Sequence, residues 1–317
     1  MQHGPTTPLR QPDSPLVSIV VPTIGRPEYV VDTIRSILSQ TYPNLQILIS
    51  DNAAAVATAP LLAQAGIADP RIEVIERTER LGFSAHMNAC ICAARGTYLM
   101  IVSDDDQITP NYVSEMVEMM DIDHRVKVCL GRQVRITEHD RGLIKAPAVS
   151  NVRQFIDGVE FLEGTISGAI RTNIMTYISM FVRREELLRV GGFREYPDGS
   201  HADNFILFSL ALDGCIALGT NVMLYRVYLT SSGLKTPFRA LLSATRAYTR
   251  DCIGLVREQT SVSDDDKRCL VRLLLSSNSR LLLSRIRHVY WSQLSPFAIF
   301  GCLMRVVWFR FQRISLP

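Results

Sequence analysis

Residues Asp104, Asp105 and Asp106 place three consecutive carboxylates directly after an apolar run, Thr97 to Ser103. Like charges this close repel one another, and a cation set between them relieves the repulsion. Carboxylate oxygens suit hard divalent ions such as Mg2+ and Mn2+, and Mg2+ is typically held by one or two carboxylates together with substrate phosphates. Two further polar residues close apolar runs earlier in the chain: Thr23 after Val17 to Pro22, and Asp51 after Leu45 to Ser50. The bland alternatives are a solvated acidic turn ahead of Pro110 for the aspartates and a helix cap for Asp51. Which reading holds depends on whether the run ends share one edge of a sheet.

The runs Val17–Pro22, Leu45–Ser50, Arg71–Ile75 and Thr97–Ser103 are short, aliphatic and rich in β-branched residues, which predicts buried strands. Between them lie helical patterns. Pro27 opens the first, with Val30, Val31, Ile34, Ile37 and Leu38 on one face; Phe83, Met87, Cys90, Ile91 and Ala94 mark a second, stopped by Gly96. Strands alternating with helices imply right-handed crossovers and a mainly parallel sheet covered on both faces. Ligands of such sheets bind beyond the carboxyl ends of the strands, so Thr23, Asp51 and Asp104–Asp106 are expected on one edge. The first strand runs into Thr23-Ile24-Gly25-Arg26-Pro27 rather than GxGxxG, which disfavours a dinucleotide site, and no GxxxxGK[ST] loop is present. Short strands are expected at Val126–Leu130, Thr176–Val182, Ile216–Leu218 and Val222–Tyr228, with one apolar helix from Asn204 to Leu212. Glu138 to Gly168 reads as a long irregular loop. From Thr236 onward only helices are expected.

The chain has 317 residues, 47% hydrophobic and 21% charged, which excludes disordered and collagen-like classes. Its net charge of +3 hides a division: residues 1–266 carry 25 basic against 31 acidic side chains, whereas the last 51 residues carry nine Lys or Arg and no acid. In that basic tail Leu270, Val271, Leu273–Leu275, Leu281–Leu283 and Ile286 alternate with arginines, followed by Tyr290, Trp291, Phe297, Phe300, Trp308, Phe309 and Phe311. Basic amphipathic segments with Trp and Phe suit an anionic membrane surface. Packing on the core or on a sister subunit is the alternative for 267–317, and no nucleic-acid motif accompanies the charge. The seven cysteines include no CxxC pair and read as free thiols of a reducing compartment. Met1–Pro15 lacks an apolar signal segment, and no run reaches the ~20 apolar residues of a membrane span. A cytoplasmic location, peripheral on the cytosolic face of a membrane, is expected.

Val17-Ser-Ile-Val-Val-Pro-Thr, Ser39-Gln40-Thr41-Tyr42-Pro43 and Ile49-Ser50-Asp51-Asn52 resemble the start of a family 2 glycosyltransferase. The likeness continues through Gly82, Asn88, Ala94, Gly96-Thr97-Tyr98, Ser103–Asp106 and Pro110. It resumes at Gly191-Gly192-Phe193, Ala202-Asp203, Leu210-Ala211, Gly214 and Tyr225-Arg226, covering residues 16 to 232 in order. The resemblance implies an inverting, metal-dependent transferase of the GT-A fold that uses a nucleotide-sugar donor, UDP-linked in the first instance, with Mn2+ or Mg2+. It implies a catalytic domain over 16–235 (donor half 16–125, acceptor half 126–235), beside which the polar, Pro-rich 1–15 reads as a flexible tail and 236–317 as a basic helical extension. The expected acceptor is a hydroxyl of a cell-surface glycan or lipid-linked glycan.

By the same resemblance Pro22, Thr23, Gly25, Arg26, Asp51, Asn88, Asp104 and Arg226 bind the nucleotide sugar, with Asp51 on the uracil ring. Asp105, with Asp104 and Asp106, takes the metal; the register of the DXD motif stays open between Asp104-x-Asp106 and a Ser103-based reading. Asp203 becomes the general base, in an Ala202-Asp203 pair where the family has Glu-Asp, with a plain helix cap as its alternative. The family's Tyr-Arg-x-His is altered to Tyr225-Arg226-Val227-Tyr228, for which His201 is a candidate substitute. His86, Arg80 and His201 also sit in site-bearing segments. A sugar-nucleotide pyrophosphorylase and a non-catalytic membrane or assembly adaptor are the rival readings; the first requires a Gly-rich basic first loop, which Thr23–Pro27 does not match.

Overall fold

The computed structural model describes residues 14–54, 56–137, 139–140, 142–144, 152–170, 180–227, 237–285, 303–304 and 306. Tyr228, residues 138, 141 and 145–151, residues 176–179 and the aromatic residues from Tyr290 to Phe311 lie outside them. The described residues fall into two compact units, one drawn from 1–155, 173–192 and 215–229 and the other from 156–172, 193–214 and 230–317.

The first unit is an α/β sheet. Strands β1 (Val17–Thr23), β2 (Leu45–Asp51) and β4 (Tyr98–Ile101) are buried at every residue, as near-continuous aliphatic runs require when helices cover both faces. With β3 (Ile72–Glu76), β5 (Gln107–Ile108), β6 (Val126–Thr137), β8 (Met180–Arg183) and β9 (Cys215–Val227), they pair in the order β3-β2-β1-β4-β8-β6-β9-β5. A further strand, β7, spans Gln154–Asp157. The β3-β2-β1-β4 half and the β6-β9 pair are parallel, while β8 runs antiparallel to both neighbours. Helices α1 (Pro27–Leu38), α2 (Thr58–Gln64), α3 (Phe83–Ala93), α4 (Tyr112–Ile122), α6 (Arg184–Arg189) and the parallel register put Thr23 opposite Asp51 at one sheet edge. The core under this edge joins Ile19, Val21, Ile47 and Ile49 of the strands to Val30, Ile34 and Ile37 of α1.

Three expectations need correction. The fourth strand ends at Ile101 rather than Ser103: Val102 still donates to Val20 O at 2.9 Å, but Ser103 turns, its carbonyl accepting from Asp106 N at 3.1 Å. The two strands expected between Ile216 and Tyr228 are one, β9, whose pairing with β6 shifts register between Leu218 and Val222; at Gly219, Met116 and Glu115 of α4 fill the space a side chain would need. The irregular loop expected over Glu138–Gly168 contains helix α5 (Gly158–Ser167), capped by Asp157, whose carboxylate accepts from Val159 N at 2.9 Å.

The second unit is mainly helical, from α5, α7 (Ala202–Ala211), α8 (Phe238–Glu258) and α9 (Asp264–Arg285). Phe238, Leu241, Leu242, Leu282 and Val306 form its satellite core, and Leu270, Val271 and Leu274 of α9 are also buried. Leu270, Leu274 and Leu282 of the basic tail are therefore spent on packing, while Leu283 is exposed. No helix among the described residues is long and apolar enough to cross a membrane.

Candidate active site

The site grows from the carboxyl ends of β1 and β4. Pro22 sits in β1 beyond the last residue of β4 that pairs with that strand, so its missing N–H leaves no gap in the ladder. Thr23 Oγ1 donates to Asp104 Oδ2 at 2.5 Å and accepts from Gly25 N at 3.0 Å. Gly25 has φ +84°, and a Cβ there would lie 2.8 Å from Cβ of Ala54; both the turn and the close approach require glycine. Arg26, ahead of α1, ion-pairs with Asp105, and its Nε lies 3.5 Å from Asp104 Oδ1.

Asp104, Asp105 and Asp106 are 2%, 6% and 3% exposed, which removes the reading of a solvated turn. Burial pushes the Asp104 pKa up to about 6; Arg26 and the Thr23 hydroxyl pull against that, and the charge of Asp105 adds to it. Burial, with Asp105 next, drives Asp106 well above the ordinary carboxylate range, although the Arg226 N–H opposes this. The three acids face different partners: Asp104 meets Thr23 and Arg26, Asp105 meets Arg26, and Asp106 Oδ1 accepts from Arg226 N at 2.8 Å.

Arg226, on β9, is buried and ties the far side together. Its Nε donates to Asp105 O at 3.1 Å, its Nη1 donates to Asp140 O at 2.8 Å and to Thr137 O, and its guanidinium lies 4.2 Å from the ring centroid of Tyr29. Its Nη2 is buried and has no hydrogen-bond partner among the described residues. Sequence reasoning missed Tyr29; an aromatic three residues past Arg26, on the buried side of α1, was the available signal.

Asp51 serves the chain. Its Oδ1 accepts from Ala54 N at 2.8 Å, and its Oδ2 accepts from Thr58 N at 3.1 Å and Thr58 Oγ1 at 3.0 Å, fastening the start of α2. Asn88, on α3, lies under Gly192, whose φ of +64° and lack of Cβ allow the contact. His86 is a core residue: Ser50 Oγ lies 2.9 Å from its Nε2, and burial, then the charge of Arg77, lowers its pKa to about 4. Arg80 is exposed.

In the second unit Asp203 lies in the first turn of α7, and its Oδ1 accepts from Asn204 N at 2.9 Å. The N-cap is His201, in the left-handed region at φ +68°, so Asp203 is not the capping residue. The His201 ring stacks on Tyr248 at 4.8 Å, its Nε2 lies 3.0 Å from Thr245 Oγ1, and burial holds it neutral with a pKa near 4. These contacts give His201 a packing role.

Among the described residues no three His, Cys, Asp or Glu side chains form a ready-made metal cage. The donor chemistry nonetheless fits a hard divalent cation completed by phosphate oxygens: three consecutive aspartates are buried, and burial holds two of them above the ordinary carboxylate range.

The parallel sheet with acids beyond its strand ends is the GT-A type of glycosyltransferase fold. S. aureus TarS in complex with UDP-GlcNAc superposes with a TM-score of 0.68 at 12% identity, covering 92% of this chain and 79% of that one. The mannosyltransferase PcManGT of Pyrobaculum calidifontis, in complex with GDP-Man and Mn2+, gives 0.59 at 16% identity over 95% and 88%. The profile of Glycosyl transferase family 2 matches residues 18–181, about half of the sequence, and the chain belongs to that family. The succinoglycan biosynthesis protein ExoO of Rhizobium meliloti is 32% identical over 107 residues, 34% of this chain and 30% of that protein. The chain spans less than half the length of the curated relatives it matches.

Proposed function

We propose that this chain transfers a sugar, with inversion, from a UDP-sugar donor to a hydroxyl of a cell-surface glycan or lipid-linked glycan. The observation that carries this reading is the buried Asp104–Asp106 run lying between Arg26 and Arg226 at the ends of the parallel strands. Support for the donor comes from TarS bound to UDP-GlcNAc, and for the setting from ExoO in succinoglycan biosynthesis.

In this reading Pro22, Thr23 and Gly25 shape the loop that receives the nucleotide, and Asp51 and Asn88 line its base and ribose side. Arg26 and the Nη2 of Arg226 supply charge-assisted hydrogen bonds to the diphosphate. Asp105, with Asp106 and Asp104 beside it, would hold Mn2+ or Mg2+. That ion, when bound, stabilises the negative charge of the departing diphosphate. Asp203 accepts the proton of the acceptor hydroxyl as its oxygen attacks the anomeric carbon from the face opposite the diphosphate. One bond forms from acceptor oxygen to carbon, the carbon–phosphate oxygen bond breaks with its electron pair leaving on the diphosphate, and the anomeric configuration inverts.

Incubation with a panel of UDP-sugars should give enzyme-dependent UDP release, and NMR of the product should show the inverted anomer. A retained anomer overturns the single displacement. Asp203→Asn should keep donor binding and lose transfer; near wild-type turnover in that variant removes Asp203 as the base.

The acid-free basic segment 267–317 supports attachment at the cytosolic face of an anionic membrane. Full-length protein should float with phosphatidylglycerol vesicles at low salt and partly release at 1 M salt, where the Debye length is about 3 Å. Failure to float at either salt overturns the attachment.

A further inference from the structure

Two arginines attend the aspartate run, and they are held in opposite ways. Arg226 is 7% exposed, and its guanidinium is tied to three main-chain carbonyls, those of Asp105, Thr137 and Asp140. Arg26 is fixed through its main chain. Gly25 turns at φ +84° before it, Pro27 opens α1 after it, and its carbonyl accepts from Tyr29 N at 3.0 Å and Val30 N at 3.1 Å. Its side chain is 34% exposed and reaches back to the run, where Nη1 pairs with Asp105 Oδ2 and Nε lies 3.5 Å from Asp104 Oδ1. Rotation about its staggered side-chain bonds gives such a guanidinium a new partner and leaves the start of the helix in place.

The three acids differ in what an incoming cation meets. Thr23 Oγ1 donates to Asp104 and Arg226 N donates to Asp106, and these neutral donors orient a carboxylate without cancelling its charge. Asp105 Oδ2 instead receives the positive charge of Arg26. A guanidinium and a divalent cation on one carboxylate repel each other, and more strongly where the surroundings are buried. A diphosphate offers the guanidinium another acceptor, with oxygens spaced to match its planar fork two at a time. The cation and the diphosphate would therefore each favour the same movement of Arg26, away from Asp105.

We propose that Arg26 is an exchangeable counter-ion of the aspartate run, which a divalent cation displaces from Asp105 and the donor's diphosphate receives, so that metal and nucleotide bind cooperatively. The nucleotide half of this exchange rests on the glycosyl-transfer reading; the competition between Arg26 and a divalent cation for Asp105 rests on the ion pair. Arg26 then opposes the metal when the metal comes alone and helps it when the nucleotide is present. A residue that merely shaped the loop would help in both cases.

The test is titration of the full chain with Mn2+ alone and with Mn2+ in saturating UDP, read by loss of the free-Mn2+ paramagnetic resonance signal. Arg26→Gln should bind Mn2+ alone about 10-fold tighter than wild type, and should lose most of the increase in Mn2+ affinity that UDP brings, an increase expected at ~5–150-fold in wild type. Arg35→Gln removes the same charge from an ion pair elsewhere on α1 and should leave Mn2+ affinity within about two-fold. Unchanged or weaker binding of Mn2+ alone in Arg26→Gln overturns the exchange, as does an equal gain in Arg35→Gln. Should Arg26→Gln fail to fold, Arg26→Lys keeps the charge without the fork and should still tighten Mn2+ alone about three-fold; no change there overturns the exchange too. Calorimetry of UDP with Mn2+ on the wild type separates the two readings. No UDP binding there overturns the donor reading and the nucleotide half of the exchange, whereas UDP binding without the gain in Arg26→Gln overturns the exchange alone.

Discussion

Two buried acidic sites lie in the sheet unit, and they end on opposite sides of the ordinary carboxylate range. Glu115 of α4 is 3% exposed, as buried as Asp104 or Asp106. Burial alone would raise its pKa, but Thr220 and Asn221 outweigh that and lower it. Thr220 N reaches both its oxygens, at 3.0 and 2.9 Å, Asn221 donates from N at 2.7 Å and Nδ2 at 3.0 Å, and Arg153 Nε lies 3.1 Å away. Asp104 and Asp106 have fewer donors and the charge of Asp105 between them, and burial prevails. The same residue chemistry is therefore structural where the chain itself satisfies it and suited to a ligand where it does not.

The comparison breaks most visibly by deletion. Asp105→Ala should lower turnover by about four orders of magnitude, ~5 kcal/mol of transition-state stabilisation, with thermal stability essentially kept. Steady-state kinetics beside a melting curve reads both; turnover near wild type removes Asp105 from the site. Glu115→Ala should do the reverse. It strands the Thr220 and Asn221 donors and should cost about 3–5 kcal/mol of stability, seen in denaturant melts, with turnover per folded molecule unchanged.

Acid sharpens the contrast between satisfied and unsatisfied groups. His86 and His201 are held neutral with folded pKa values near 4, below the 6.5 of an unperturbed histidine. Because the unfolded chain takes up these protons first, the stabilisation is fully present above pH 6.5 and is lost as pH falls toward 4, by about 3 kcal/mol for each group. His86→Gln should flatten that limb in pH-dependent denaturant melts; an unaltered slope assigns the acid sensitivity elsewhere. The smallest effect is expected at Thr23→Val, which removes the hydroxyl at 2.5 Å from Asp104 and should weaken donor binding about five-fold, ~1 kcal/mol. Isothermal titration against UDP checks it.

The acidic edge of the sheet was legible because it follows from local pattern: aliphatic runs make β1, β2 and β4, and the residues that end them, Thr23, Asp51 and Asp104–Asp106, follow directly in the chain. Arg26 and Arg226 were legible only as candidates, since what binds them to Asp104–Asp106 is folding across 79 to 121 residues of sequence. Glu115 was invisible for the same reason; its partners on β9 lie 105 and 106 positions away. Asp51 also fastens the start of α2 through Ala54 and Thr58, contacts local in sequence that the resemblance to a base-binding acid did not bring out. Helix α5 was lost because Gly158 and Gly164 break its periodicity. Gly158 is there because Ala211 and Gly214 carbonyls pack against it, a demand that appears only after folding.

Glycosyl transfer as proposed requires the buried aspartate run, and not merely the fold, to hold a nucleotide diphosphate with a divalent cation. Calorimetric titration of UDP into the wild-type chain and into Asp105→Ala, each with and without Mn2+, tests it directly. Binding should depend on Mn2+ in the wild type and lose that dependence in the variant. Binding absent from the wild type in Mn2+, or equally Mn2+-dependent in both proteins, would contradict it.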